Sequence, residues 1–292
     1  MTNRRIKSKI LSSFLHDPPA VAGSLIIVLF IGAAVLAPLI TPQNPYDLEA
    51  VSLDYFLTPP VWMDGGHSPY LFGTDDQGRC ILSTIIYGLR TSLIVGFGVV
   101  LIAGTFGVLM GLLAGYYGKI LDAIVMRLAD TFFAFSTTLM AFLLMGIFNQ
   151  RGLLTVILAI CLADWVRYAR TMRGSVLEVK EETYITAAKA TGAKDFRLLL
   201  KHLLPNALPP ILVVVAVDLG VVVMLEATLS FLGVGVPVTE PSLGMMISNG
   251  KDYIYAGMWW MIVFPGAALV MLVVGINLFA DWLREELNPR LE

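Results

Sequence analysis

Residue types that do chemistry are sparse in this chain. His16, His67 and His202 are its only histidines, and each stands far from the others and from Cys80 and Cys161. That spacing offers neither a zinc ligand set nor a histidine base beside a nucleophile, which argues against metal-assisted hydrolysis and acyl transfer. A disulfide is not expected, because Cys161 falls inside an apolar run. The stretch Gly111 to Lys119 has the outline of a phosphate-binding loop, but position 113 lacks the required glycine and no Ser or Thr follows the lysine. No nucleotide site is expected in this chain, so the energy for any work must arrive from a partner.

Charged residues in apolar surroundings are the next candidates. Asp218 and Glu226 lie in one apolar run, Arg127 and Asp130 at the start of another, and Asp164 near the end of a third. Ionisable groups at membrane depth are costly and mark function by default. Arg127 and Asp130, like Asp164 and Arg167, are three apart, so each pair can meet on a helix at an interface. Asp218 and Glu226 are pathway or interface candidates. For Glu226, a hydrogen bond between helices or to a partner subunit is the alternative reading.

The segment from Thr171 to Leu204 is long, amphipathic and mixed in charge, more than two adjoining spans need. Its centre reads Tyr184-Ile-Thr-Ala-Ala-Lys-Ala-Thr-Gly192, followed by Ala193, Lys194, Asp195 and Phe196 and ending at Pro205. Ala187, Ala188, Ala190 and Ala193 favour helix while adding almost no bulk, and Gly192 can end the helix at positive φ. A short helix, a sharp turn and a second helix ending near Pro205 are predicted. Thr186, Lys189, Lys194, Asp195 and Phe196 lie on or beside this smooth surface, and its charges suit the rim of a protein interface. A helix lying on lipid is the alternative.

These groups must be held by membrane helices. Hydrophobic residues make up 57% of the 292 residues, charged residues 14%, and mean hydropathy is +0.77, so lipid is the expected solvent. Six spans are predicted: Ala20–Ile40, Thr91–Gly115, Thr131–Phe148, Leu153–Tyr168, Ala207–Phe231 and Ala256–Ala280. In the second, Ala103, Gly107, Gly111 and Gly115 form a stripe of small residues suited to close helix packing. Basic residues place the segments. Arg4, Arg5, Lys7 and Lys9 precede the first span, and eight Lys and Arg residues from Arg167 to Lys201 flank or fill the connection after the fourth, so these belong in the cytoplasm. The acid-rich segment between the first two spans belongs outside, where its prolines and glycines favour an irregular cap. The predicted organisation is a cytoplasmic tail (1–19), first span (20–40), external segment (41–86), five-helix core (87–283) with its loop (171–204), and a second cytoplasmic tail (284–292). No footprint for nucleic acid is visible.

The spacing of Ala187-Ala188, Gly192 and Leu204-Pro205 resembles the EAA loop of ABC-importer permeases, with Thr186 where an acid is usual. Trp165, Tyr168-Ala169-Arg170, Arg173, Phe72-Gly73-Thr74-Asp75, Gly78-Arg79, Leu229-Ser230-Phe231-Leu232-Gly233 and Asn288-Pro289-Arg290 are similar to the dipeptide/oligopeptide permease family, particularly its second permease. Asp164 stands where that family usually has a small residue. The resemblance implies an all-α, six-helix type I importer fold in a bacterial or archaeal inner membrane, with both termini cytoplasmic. It implies a homologous second permease, two ATPase subunits that bind ATP and Mg, and an external substrate-binding protein, with no cofactor in this chain. Thr186, Ala187, Ala188, Lys189, Gly192, Ala193, Lys194, Asp195, Phe196 and Pro205 would then form the ATPase-coupling site. Small peptides are the implied cargo, with nickel chelates, glutathione, opines or sugars as alternatives. A secondary transporter or channel would instead need a midplane site and no docking loop.

Overall fold

A computed structural model describes residues 12–47, 55–148, 152–237 and 239–287, and most of these residues are helical. Helix α1 spans Pro18–Val35 and is capped by Asp17, whose carboxylate accepts from the Ala20 amide at 3.2 Å. Pro18 and Pro19 occupy its first turn, where a missing N–H costs nothing. The predicted first span is interrupted at Leu36, because Pro38 has no N–H for the preceding turn, and a short turn of helix follows over Ala37–Ile40.

The second helix, α2, covers Ile81–Tyr117 and ends at Gly118, whose φ is +63°. Its 37 residues reach well beyond a ~30 Å hydrocarbon core at ~1.5 Å per residue. Ile81 to Ile86, predicted to belong to the preceding irregular segment, are its first turns. Helix α3 (Lys119–Phe133) and helix α4 (Thr137–Phe148) meet at 90°. A continuous span over Thr131–Phe148 is therefore incorrect. The hydroxyl residues Ser136, Thr137 and Thr138 favour starting a helix over continuing one, and the Ser136 carbonyl accepts from the Met140 amide at 2.9 Å.

Helix α5 runs from Leu153 to Lys180, twelve residues beyond the predicted end at Tyr168. Helix α6 is Thr183–Ala190. After Gly192 the chain forms helix over Asp195–Leu198, a π-helical turn over Leu199–Leu203 and helix again over Leu204–Ala207. This second helical stretch ends at Ala207, two residues past Pro205, with Leu208 separating it from the next helix. The proline sits in the first turn after the π-helical stretch, where its missing donor is tolerated. Helix α7 covers Pro209–Phe231, helix α8 Leu243–Gly250, and helix α9 Trp260–Glu286 after a 3₁₀ segment that contains Ala256.

Contacts set the directions of these helices. A Cβ on Gly107 would lie 2.4 Å from the Trp165 carbonyl oxygen, and one on Gly111 2.3 Å from that of Ala169. Glycine is required there because two backbones touch. As α2 advances from Gly107 to Gly115, its contacts on α5 advance from Trp165 to Val176, so the two helices run parallel. Helix α7 runs antiparallel to α2: Gly96 faces Leu219 while Ser92 reaches Glu226. Helix α1 runs antiparallel to α9, with Ser13 bonded to Glu286 at 2.7 Å and Gly23 against Gly275.

By length and composition, α1, α2, α7 and α9 are apolar enough to cross a membrane, and the bent α3–α4 pair makes a fifth candidate. Helix α5 is not counted on those grounds, since Asp164, Arg167 and Arg170 interrupt it. Between α1 and α2, residues 55–80 are turns stapled by a bridge between Thr74 and Cys80 and by the buried Asp75–Arg79 ion pair at 2.8 Å. Burial, and next the neighbouring Asp75, push the Asp76 carboxyl above its usual range. Phe72 stacks on Phe264 of α9 with ring centroids 4.3 Å apart, so this segment is packed onto the bundle.

Candidate functional site

Helix α6 is anchored by one side chain. Ile185 is fully buried, as are Leu198 and Leu203 beyond the turn, whereas Thr186, Ala187, Ala190 and Lys194 are exposed. Ala188 and Ala193 are half-buried. Phe196 is 74% exposed, a large apolar knob beside a surface of methyl groups. Gly192 has φ of +80°, and a Cβ there would meet nothing within 4 Å. Lys189 belongs to the helix, but its side chain lies outside the described residues. Pro205 follows the π-helical turn that leads towards α7.

Asp195 does more than border this surface. It accepts a hydrogen bond from the Tyr116 hydroxyl at 2.6 Å, which ties the loop to the end of α2. The Lys180 ammonium donates to the Tyr116 carbonyl at 2.6 Å, placing a cation on the carbonyl end of α2. Nearby, Arg173 grips Asp122 of α3 with two hydrogen bonds of 2.5 and 2.7 Å. Arg170 bonds Asp130 at 2.5 Å with its guanidinium 4.1 Å above the Phe133 ring. The expected Arg127–Asp130 pairing is thus replaced by a pairing between helices.

Two acidic clusters lie inside the bundle. Glu226 is completely buried, and its carboxylate accepts from the hydroxyls of Ser92 at 2.7 Å, Ser230 at 2.8 Å and Ser242 at 2.9 Å. These donors join α2, α7 and the residue preceding α8. Asp218 is 1% exposed and accepts from Arg167 at 2.5 Å and from the Tyr168 hydroxyl at 2.6 Å. Asp164 lies 3.6 Å from the same guanidinium, so Arg167 serves Asp218 first. Sequence spacing named the acids but missed Ser92, Ser242 and Tyr116, which lie 134, 16 and 79 positions from their partners. The described residues contain no group of His, Cys, Asp and Glu able to hold a metal.

Parallel α2 and α5, an exposed short helix on a buried anchor, and acids bonded between helices make up a helical membrane fold that is found in ABC-importer permeases. Solved structures with this fold include an inward-facing form of the MetNI methionine ABC transporter, with a TM-score of 0.54 and 24% identity. That alignment covers 70% of this chain and 96% of the other. The family model for the binding-protein-dependent transport system inner membrane component matches residues 107–292, and that for the N-terminal TM domain of oligopeptide transport permease C matches residues 8–60. The dipeptide transport system permease protein DppC of Haemophilus influenzae is 37% identical, with 96% of this chain and 93% of the relative covered. The di/tripeptide transport system permease protein DppC of Pseudomonas aeruginosa is 35% identical, with 96% and 91% covered. The chain belongs to the family of binding-protein-dependent transport system inner membrane components. It is a multi-pass inner-membrane permease.

Proposed function

We propose that this chain is one of two homologous permease subunits of an ATP-driven importer for small peptides. The observation carrying the reading is an exposed α6 anchored by Ile185 and followed by the positive-φ turn at Gly192, in a chain related to peptide permeases over almost its whole length. Two ATPase subunits bind ATP and Mg and dock at Thr186, Ala187, Ala188, Lys189, Gly192, Ala193, Lys194 and Phe196. The chain holds no cofactor of its own. Movement at α6 passes through Asp195 into α2 by way of Tyr116, and through Pro205 into α7.

Six crossings follow if α5 spans and the bent α3–α4 pair makes one return. Parallel packing of α2 and α5 supports this count, because the chain must cross back between them. Both termini are then cytoplasmic, the segment around 41–80 is external, and an external binding protein delivers cargo to that face. Asp218 and Glu226 hold helices within the permease at or beside its pathway. Reconstitution with the second permease and both ATPases provides the test. ATP-dependent accumulation of a labelled dipeptide, dependent on the binding protein, is expected; accumulation of a nickel chelate or sugar in its place would overturn the peptide assignment.

A further inference from the structure

Helices α1 and α2 leave a groove of about 540 Å³ between them. Buried Ala34 and Leu93 form its floor, Ile31 and Val35 of α1 one wall, and Ile94 and Phe97 of α2 the other. Val35, Ile94 and Phe97 are exposed, so the walls stand apart. Towards the 55–80 segment the two helices meet again, where Ala37 packs on Ile86 and Tyr87. Arg90 lines the same groove two turns of α2 before Phe97, ~10 Å nearer that segment at ~1.5 Å per residue. It is exposed, and among the described residues no carboxylate forms an ion pair with it. Glu240 and Arg90 both lie close enough to act on the Tyr46 hydroxyl without pairing with one another.

Depth and charge together restrict what fits. Arg90 directly precedes the apolar run from Thr91, and beside it the half-exposed Tyr46 ring meets Tyr87 edge-on with centroids 5.5 Å apart. Amphipathic rings and long basic side chains at the end of an apolar run mark the boundary between hydrocarbon and water. Most of α1 is left uncovered by the rest of the chain, so the groove opens to the bilayer. Its occupant must therefore be apolar along Ile31, Val35, Ile94 and Phe97 and anionic at Arg90. A water-soluble acid leaves the apolar walls unfilled, and an uncharged chain leaves the cation without a counter-charge. A phospholipid of net negative charge meets both demands, since a guanidinium binds phosphate oxygens through two parallel N–H donors.

We propose that this groove binds an anionic phospholipid, with an acyl chain lying between α1 and α2 and the phosphate held by Arg90. The reading requires only that α1 and α2 cross a membrane, and it stands apart from the choice of cargo. Native mass spectrometry of the complete permease–ATPase complex tests it, after equilibration in mixed micelles with phosphatidylglycerol or with phosphatidylcholine of identical chains. The wild type should retain a tightly held phosphatidylglycerol at least fivefold more often than phosphatidylcholine. Arg90→Gln should cut its occupancy at least fivefold, whereas Arg90→Lys, which keeps the charge, should retain more of it than Arg90→Gln. Ile94→Trp fills the groove from an exposed wall without changing a charge, and its expected loss of phosphatidylglycerol keeps the test open if the Gln variant does not assemble. A phosphatidylglycerol with a photoactivatable acyl chain should label α1 and α2 along the groove in the wild type and not in Ile94→Trp. Equal retention of the two headgroups, or unchanged phosphatidylglycerol occupancy in Arg90→Gln, would overturn the anionic site. Absence of label from both helices would overturn the groove as a lipid site, and a cross-link from a photoreactive residue at position 94 to the second permease would assign it to a subunit interface instead.

Discussion

Glu226 shows how an acid becomes a structural residue at membrane depth. Three hydroxyls donate to its carboxylate from separate parts of the fold, so the desolvation cost is met by short, charge-assisted hydrogen bonds. Glu226→Ala removes the common acceptor and leaves a void among three polar groups. A loss on the order of 3 kcal/mol is expected, because hydrogen bonds to charged groups contribute ~1.5–3 kcal/mol each and hydroxyls recover part of this by turning to nearby carbonyls. Glu226→Gln retains an oxygen acceptor and should lose about 1 kcal/mol. Thermal unfolding of the purified complex in detergent ranks the three proteins, and equal melting temperatures would remove this role from Glu226. Asp218 has a different arrangement, since it shares Arg167 with a second acid.

At the scale of elements, α6 stands out because it buries little of itself. A helix of eight residues held by Ile185 has almost no independent stability, so its position depends on the Gly192 turn and on the tie between Asp195 and Tyr116. Gly192→Val places a β-branched residue at φ +80°, and the added Cβ meets open space, so the cost is conformational and local. The expected outcome is normal membrane insertion and wild-type yield, with ATP hydrolysis uncoupled from uptake or ATPase subunits lost from the complex. Gly192→Asn should be milder because Asn tolerates the left-handed region better than Val. Full transport by Gly192→Val at wild-type ATP consumption would end the assignment of this turn as a coupling element. The α2–α5 contact is the opposite case. There, backbone touches backbone at Gly107 and Gly111, and no larger residue fits without moving a helix.

At the scale of the whole molecule, the helix directions are fixed relative to one another, and the proposed orientation rests on where the basic residues lie. Helices α2 and α5 run parallel, α7 opposes α2, and α1 opposes α9, while basic residues gather around the end of α5 and the loop that follows. Single cysteines at Asp64 and Lys194 test this orientation. Both natural cysteines are buried, which keeps the labelling background low in intact membranes. The Asp64 position should react with an impermeant maleimide added outside, and the Lys194 position only after the cytoplasmic side is opened; the reverse pattern would refute the orientation.

Apolar runs, their flanking charges and the alanine–glycine pattern of residues 184–193 were legible in the sequence, because lipid demands long apolar helices and a turn at positive φ favours glycine. Those signals gave the helical class, four strongly apolar spans and the place of the exposed helix. They are local, each contained within a few turns of chain. The sequence signal did not locate the break at Ser136, where hydroxyl residues compete with helix continuation and no Pro or Gly marks the place. It also ran past Leu36 and stopped α5 too early, because hydropathy measures preference for lipid and is blind to where hydrogen bonding ends a helix. The Asp164–Arg167 contact, three apart on one helix, was legible, but the partners of Asp130 and Asp195 and the Ser92 donor to Glu226 were decided by tertiary structure alone. Asp130 found Arg170, Glu226 found Ser92, and Asp195 found Tyr116, each across a distance in sequence that no periodicity spans, since the pairing depends on which helix faces come together when the bundle closes.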